Sequence, residues 1–464
     1  MSAVATAAAQ AAAPPTLRLQ LAVSLASVFG PLNSTMLAVA LPRIGDDFGV
    51  GVGALALLVS AYLIATAVLQ PASGRLGDAL GHLRVVQVGL LVLVVTSLAA
   101  AFAWSFTALV VLRSLQGAAA ALTMPNVVAY LRKRVPPERL GSSLGMNGAL
   151  ISIGAAGGPV LGGVLLAIGG WELLFLANVP LGLLGLLTIS RLEQDAGAGR
   201  KTFTLDWVSL ATLTAVFAGL TGVGAAARSG EALWLVAAVA VFVAGTAGYL
   251  LRYRQRGGGV LDLRLFSRRN FLVASLLVML ANLLMYTTLV AMPVYLSEIQ
   301  DRGDAAIGFA LFAMSAALVV VSPASGGLAD RVGDRALVVA GGALLLLSMA
   351  GLGLAIGRWE LGALMAFLTL VGIGMGLSQA PQQSTALKSW PPEVAGAAAG
   401  TFSLMRYTGS ITGAALLAAV LGAGEDISDF RLLFAILTGL GVVNLLLAFG
   451  LRGAPHATGG SSTR

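Results

Sequence analysis

The sequence predicts an all-helical membrane protein with two related six-helix halves and one additional pair of helices. Three observations support this prediction. Hydrophobic residues make up 58% of the 464 residues and charged residues only 10%, whereas a soluble domain carries about 25% charged residues. Apolar stretches of membrane-spanning length recur along the chain, and a glycine-rich motif in the first half returns in the second. Most of the chain is therefore expected to lie in lipid.

Fourteen apolar stretches are long enough to cross a membrane as a helix, which takes about 20 residues. Helices are expected because backbone groups in lipid must be satisfied within the segment, and the sequence lacks the alternating pattern of a β-barrel. The predicted spans are 18–42, 51–73, 84–104, 107–130, 141–167, 171–190, 206–227, 232–253, 271–296, 305–325, 336–356, 360–383, 395–422 and 429–451.

The basic residues predict the orientation of these spans. With the N-terminus inside, the inner tails, loops and span ends hold 21 of the 28 basic residues, the outer loops five and the span interiors two. Lysine and arginine favour the cytoplasmic side, so both ends, with tails over 1–17 and 452–464, are expected in the cytoplasm. We expect a multi-pass protein of the plasma membrane, in a bacterium the inner membrane. The formal charge of +8 follows from this distribution and does not indicate a nucleic-acid partner.

The two halves of the chain contain related landmarks. The segment 74–81 returns 252 residues later as 326–333, and Gly158 returns as Gly409 after 251 residues. An even number of predicted spans separates the copies, so the two halves have the same orientation. In folds built from two repeats, the substrate site lies between them near mid-membrane. The expected domains are six-helix bundles over 18–190 and 271–451, joined by an inserted two-helix region over 191–270.

The repeated motif resembles the signature of the major facilitator superfamily, Gly-x-Leu-x-Asp-x-x-Gly. One copy follows the second predicted span and the other follows the tenth. Glycine permits a tight turn, and aspartate can pair with arginine or cap a helix, so both loops are expected to act as gates on the cytoplasmic side. The gate residues are Gly74, Asp78, Gly81 and Arg84 in the first copy and Gly326, Asp330, Gly333 and Arg335 in the second.

Two further motifs narrow the resemblance. Arg113, Gln116 and Gly117 in the fourth span resemble the Arg-x-x-Gln-Gly signature of the superfamily. The fifth span resembles the antiporter motif, although a glycine-rich span is also the usual helix-packing face. With fourteen spans, the sequence is similar to the fourteen-helix drug:proton antiporter branch. The antiporter-type residues are Gly158, Pro159, Gly162 and Gly163.

This resemblance implies the major facilitator fold and export of small amphipathic molecules by alternating access, coupled to protons. It implies a monomer surrounded by membrane lipids, without a cofactor. The chain has no cysteine and two histidines, so a metal site is not expected. A lipid or anionic-metabolite transporter of the same fold remains an alternative. A membrane-embedded enzyme would need converging carboxylates, an activated nucleophile or metal ligands, and no such cluster is apparent. The two-half repeat favours a transporter over a channel.

One departure from the branch bears on proton coupling. Asn33 stands where the branch has aspartate, and none of the 20 acidic residues lies well inside a predicted span. A proton carrier is therefore expected at the edge of a span, or else the protein is a facilitator or uses another ion. The candidates are Asp78, which is favoured, and Glu172, Asp206 and Glu298.

Polar residues inside spans usually face a cavity or a polar partner. Asn33, Arg113 and Gln116 lie at similar predicted depths, so an Asn33 oxygen is expected to accept from Arg113. Such a network either pins helices together or contacts the substrate. The candidates for the substrate cavity are Asn33, Arg113, Gln116, Asn147, Asn282, Tyr286, Gln379 and Arg406.

Overall fold

The computed structural model describes residues 17–135, 137–192, 206–227, 231–256, 261–358, 360–391, 395–421 and 426–451. Most of the predicted tails and part of the 191–270 region lie outside these residues. The described chain forms fourteen long helices: α1 (Leu17–Phe48), α2 (Val52–Leu80), α3 (His82–Ala100), α4 (Phe106–Arg134), α5 (Pro137–Gly169), α6 (Glu172–Ser190), α7 (Trp207–Ala226), α8 (Ala232–Arg256), α9 (Arg269–Val294), α10 (Asp304–Val332), α11 (Asp334–Ala355), α12 (Leu361–Lys388), α13 (Ala395–Leu421) and α14 (Ile427–Phe449).

The described helices confirm the predicted all-helical membrane fold. Thirteen of them are long and apolar enough to cross a membrane, and α5 contributes a shorter apolar segment over Ile153–Gly169. A 3₁₀ turn (Leu263–Ser267) precedes α9, and a π turn (Tyr295–Ile299) follows it.

The end of α1 corrects one expectation. The helix continues past the predicted end at residue 42 to Phe48, so Asp46 and Asp47 lie in its last turn rather than in a loop. A helix satisfies its own backbone on either side of the lipid boundary, so the backbone need not change where the apolar stretch stops. The indole nitrogen of Trp171 donates to Asp47 at 2.6 Å. The apolar stretch therefore ended before the helix did.

A glycine with positive φ ends the second helix of each half. The φ angle is 97° at Gly81 and 88° at Gly333, a region that other L-residues rarely adopt. Their backbone nitrogens donate to the carbonyls of Gly77 and Ala329 at 2.9 and 2.8 Å. The identical geometry explains why the motif ends on glycine in both copies. We call the end of the molecule that carries these two turns the signature-loop end.

Corresponding helices pack in the same way in the two halves. In the first half α1 packs on α5, α2 on α4, and α3 on α4 and α6; in the second α9 packs on α13, α10 on α12, and α11 on α12 and α14. The halves meet along two seams, α2 against α13 and α5 against α10. In each seam the second helix of one half packs against the fifth helix of the other. A twofold relation between the halves requires this pairing.

The helices α7 and α8 form a pair beside the two halves. They pack on each other, and α7 also contacts α2 and α13. Asp206 caps α7 by accepting from the backbone nitrogen of Ser209 at 3.3 Å. Burial disfavours its ionised form, but the hydrogen bonds from Arg252 and Ser209 outweigh burial and lower the pKa of Asp206 to about 2. The ion pair with Arg252, at 3.0 Å, therefore ties α8 to the start of α7.

Candidate functional site

A central cavity of about 210 Å³ lies between the two halves. Its wall is built from α1, α2, α4 and α5 of the first half and from α9, α10, α12 and α13 of the second. These are the same four positions in each repeat. Among the described residues that form the wall, none belongs to α7 or α8. The cavity is therefore positioned by the repeat itself.

The cavity wall is amphipathic and carries one formal charge. Three tyrosines and four methionines lie among apolar and hydroxyl side chains, and Arg406 is the single charged side chain among the described wall residues. Arg406 lies about 16 Å along α13 from its start at Ala395. The charge therefore sits near the middle of the membrane-spanning segment. The tyrosines are Tyr62, Tyr286 and Tyr407, and the methionines are Met124, Met285, Met314 and Met375.

A buried polar network lies behind the wall contributed by the first half. Gln116 accepts through Oε1 from Arg113 at 2.9 Å and from Asn33 at 3.4 Å. Its amide nitrogen donates to Ser97 at 2.8 Å. The oxygen of Asn33 accepts from Asn178 at 3.2 Å. The expected bond from Arg113 to the Asn33 oxygen was therefore wrong, because both groups donate to the shared Gln116 oxygen.

Tyr62 separates this network from the cavity. Its hydroxyl donates to the carbonyl of Gly30 at 3.0 Å. The guanidinium of Arg113 lies over its ring, 4.5 Å from the ring centroid. Arg113 is 1% exposed, and no carboxylate among the described residues forms an ion pair with it. The ring face and the Gln116 oxygen are its observed partners, which is unusual because buried charges are normally paired.

The predicted cavity residues divide into two groups. Asn282, Tyr286, Gln379 and Arg406 lie on the cavity wall. The others are buried outside the described wall, and Tyr62 covers the first three of them. They are Asn33, Arg113, Gln116 and Asn147. Any contact of this second group with substrate stays a prediction. Sequence analysis missed Tyr62, Tyr407 and Asn178, and their only sequence signal is a hydrogen-bonding group inside an apolar span.

Comparison with known proteins decides the family. The model of the Major Facilitator Superfamily matches residues 23–414 and 274–463. The chain belongs to the major facilitator superfamily. This facilitator protein is 28% identical to the tetracenomycin C resistance and export protein of Streptomyces glaucescens, over 88% of this chain and 76% of that protein. It is 25% identical to the riboflavin transporter RibZ of Clostridioides difficile, over 79% of each protein.

A solved facilitator structure shows the shared fold. The inward-open xylose transporter XylE from E. coli matches with a TM-score of 0.67 at 12% identity, over 95% of this chain and 97% of that chain. By its family match, this protein is a multi-pass membrane transporter of the superfamily, which is not a family of enzymes. Among its described residues there is no group of three acidic or histidine side chains that could hold a metal ion.

The first signature loop of the facilitator joins α2, α3 and α4. The amine of Lys133 lies 3.3 Å from Oδ1 of Asp78. Nε2 of His82, the first residue of α3, lies 3.4 Å from the same oxygen. His82 is 1% exposed, although the sequence places it outside an apolar stretch. The described partners of Asp78 are thus a lysine and a buried histidine.

The second signature loop uses a different acidic residue. Asp334, at the start of α11, lies 3.5 Å from the amine of Lys388. Arg335 donates to the carbonyl of Phe449 at 3.1 Å. The side chain of Asp330 lies outside the described residues. In both halves a lysine at the end of the fourth helix thus pairs with an aspartate at the turn.

The antiporter-type glycines of α5 contact two helices. A side chain at Gly158 or Gly162 would overlap Thr35 or Met36 of α1. Gly163 faces the other half: a Cβ there would lie 3.1 Å from the carbonyl oxygen of Asp304 on α10. The motif therefore brings α5 close to α1 within its half and to α10 across the seam. Its role in antiport stays a prediction.

Proposed function

We propose that this protein is a secondary active exporter of small amphipathic molecules in the fourteen-helix drug:proton antiporter branch. The central cavity carries the proposal, because equivalent helices of both halves wall it and its surface mixes tyrosine, methionine and hydroxyl groups. Alternating access requires two bundles that rock about such a site. The proposed setting is a monomer in a bacterial inner membrane with both termini in the cytoplasm. The apolar wall makes a purely hydrophilic cargo a poor fit.

Tight packing at the end of the molecule opposite the signature loops supports the cytoplasm-facing state. Arg43 of α1 pairs with Asp304 of α10 at 3.0 Å, which joins the two halves there. A Cβ at Gly308 would lie 2.8 Å from the carbonyl oxygen of Pro159. These contacts support a cavity closed at the far end, which corresponds to the cytoplasm-facing state in the proposed orientation.

The signature loop supplies a site for the coupling proton. The amide nitrogen of Asn126 donates to Ser73 Oγ at 2.8 Å, so its oxygen faces Nδ1 of His82 at 2.8 Å. With the amide oriented by this network, Nδ1 carries a hydrogen. Neutral His82 then directs the lone pair of Nε2 toward the Asp78 carboxylate, 3.4 Å away. A proton bound there is shared by the two groups.

Binding of that proton also changes the gate. Protonated His82 competes with Lys133 for the same oxygen of Asp78. Of the other basic groups at these helix ends, Arg75 on α2, Arg84 on α3 and Arg132 on α4 are exposed. Arg134 on α4 lies over the ring of Tyr130. Asp206 does not suit the carrier role, because its hydrogen bonds lower its pKa to about 2. Proton uptake therefore weakens the contact between α2 and α4 where the gate has to move.

Purified protein in liposomes tests the proposal. An inside-acidic pH gradient is expected to drive accumulation of a fluorescent amphipathic dye, and collapse of the gradient to release it. His82→Gln keeps a hydrogen-bond donor for the Asn126 oxygen, but the glutamine amide cannot bind the coupling proton. We expect it to abolish gradient-driven accumulation and to retain dye exchange without a gradient. Full gradient-driven accumulation in this variant would refute the proton site, and absence of any dye movement in the parent would refute the export proposal.

A further inference from the structure

We infer that Arg406 is the anion-recognition residue of the cavity and that amphipathic monoanions, aromatic molecules with one carboxylate or phenolate, are the preferred substrates. The inference rests on the proposed transport function and narrows it. Arg406 belongs to the wall of the central cavity on α13. Its Nε is buried and has no hydrogen-bond partner among the described residues.

A cation at mid-membrane requires compensation. Charged groups inside the bilayer cost several kcal/mol unless they meet a partner or water. No acidic side chain among the described wall residues provides one. The neighbours that could contribute charge are the neutral hydroxyls of Tyr286 and Tyr407. The negative charge that balances Arg406 therefore comes from the contents of the cavity.

The second buried arginine strengthens the same preference. Arg113 lies behind Tyr62, which is itself a wall residue, and it too has no carboxylate among the described residues. Two uncompensated cations next to one low-dielectric space raise its electrostatic potential. That potential attracts anions into the cavity and disfavours cations.

The remaining wall selects the body of the ligand. Met285, Met314 and Met375 contribute flexible thioether chains, which adapt to irregular apolar shapes and contact aromatic rings favourably. The hydroxyl of Tyr286 is held near Ser34, at 3.4 Å. A flat apolar body fits between these groups with its anionic end on Arg406. A phospholipid headgroup offers the same chemistry as a dissolved anion, so the source of the anion has to be tested.

Three probes with one skeleton test this inference: 2-naphthoate, 2-naphthamide and 2-naphthylmethylammonium. Binding is measured by fluorescence with the protein in phosphatidylcholine nanodiscs. We expect naphthoate to bind at least about tenfold more tightly than the amide, and the ammonium more weakly than the amide. Arg406→Gln should remove the naphthoate advantage and leave the amide unchanged. Arg406→Lys should retain part of the naphthoate advantage, because lysine keeps the positive charge but lacks the planar guanidinium.

A matched control and the lipid composition complete the experiment. Arg358→Gln removes the same charge from an exposed position and should change nothing. Replacing phosphatidylcholine with phosphatidylglycerol should weaken naphthoate binding if a headgroup occupies the site, and should leave it unchanged if the anion is dissolved. The inference would be overturned if Arg406→Gln did not alter naphthoate binding, or if the three probes bound with equal affinity. If the protein still exported dye, the export proposal would stand. Absence of binding by all three, together with absence of export, would overturn both proposals.

Discussion

Ser34 and Tyr286 bring their hydroxyl oxygens to 3.4 Å across the middle of the molecule. They are 252 positions apart, which is the offset of the repeated signature motif. They therefore hold nearly the same place in the first helix of each half, where Pro42 and Pro293 are 251 positions apart. A residue can touch its equivalent in the other half only close to the twofold axis that relates the halves. The contact between Ser34 and Tyr286 therefore marks that axis. Both residues line the cavity, which places the candidate site at the axis that relates the two halves.

The close approach of Gly163 to α10 predicts that a larger side chain at this position opens the cavity at the end opposite the signature loops. Gly163→Val would place methyl groups against the carbonyl oxygen of Asp304, 3.1 Å from the new Cβ. The chain has no cysteine, so a single Ser315→Cys on the cavity wall reports access to a membrane-impermeant thiol reagent. We expect labelling from the far side to become several-fold faster. Gly53→Val is the control, because nothing described lies within 4 Å of its Cβ; equal labelling in both variants would contradict the proposed closure.

The contact between Asp78 and Lys133 predicts a defect in transport rather than in folding. Their side chains are 56% and 53% exposed, and exposed ion pairs contribute at most about 1 kcal/mol to stability. Asp78→Asn should leave the melting temperature nearly unchanged and slow transport by up to about fivefold, since 1 kcal/mol shifts a conformational equilibrium by about that factor. Lys133→Gln removes the ion pair but keeps the proposed proton site. It should slow transport but retain gradient-driven accumulation, and unchanged rates in both variants would exclude a latch.

Replacing Asn33 predicts a change of charge selectivity. Asn33 and Arg113 share the Gln116 oxygen, so Asn33→Asp would put a carboxylate beside an uncompensated cation. We expect higher thermal stability and a gain of cation export relative to anion export, measured as efflux against pH. Asn147→Asp adds the same charge outside this network and should not reproduce the gain. Strong proton-coupled export of monovalent cations by the parent, unchanged in Asn33→Asp, would show that the missing carboxylate does not matter.

The ion pair of Asp206 predicts a pH-dependent stability of the α7–α8 pair. Its pKa of about 2 lies below the ordinary value of 3.8, so the contribution is complete above about pH 4 and is lost as the pH falls toward 2. Asp206→Asn should lower stability at pH 7 by about 1–2 kcal/mol, because hydrogen bonds to charged groups are replaced by weaker ones. Thermal unfolding should show a smaller difference between variant and parent near pH 2.5. Substrate selectivity should not change, because this pair does not contribute to the described cavity wall.

Sequence alone predicted the fourteen helices, the two-half repeat and the glycines that end α2 and α10. These features depend on local rules: apolar length sets a span, and a positive φ at a turn requires glycine at Gly81 and Gly333. It also indicated that Asn33, Arg113 and Gln116 could meet, since helical rise converts sequence position into depth in the membrane.

Only the tertiary structure decided which of these groups face the cavity. The direction of a side chain depends on how its helix is rotated against its neighbours, and helices that are apolar all round carry little periodic signal about that rotation. Thus Tyr62 covers Arg113, Asn178 takes the oxygen of Asn33, and His82 is buried beside Asp78. Arg406 looked much like Arg113 in the sequence, yet packing hid one guanidinium behind a tyrosine ring and left the other on the wall of the cavity.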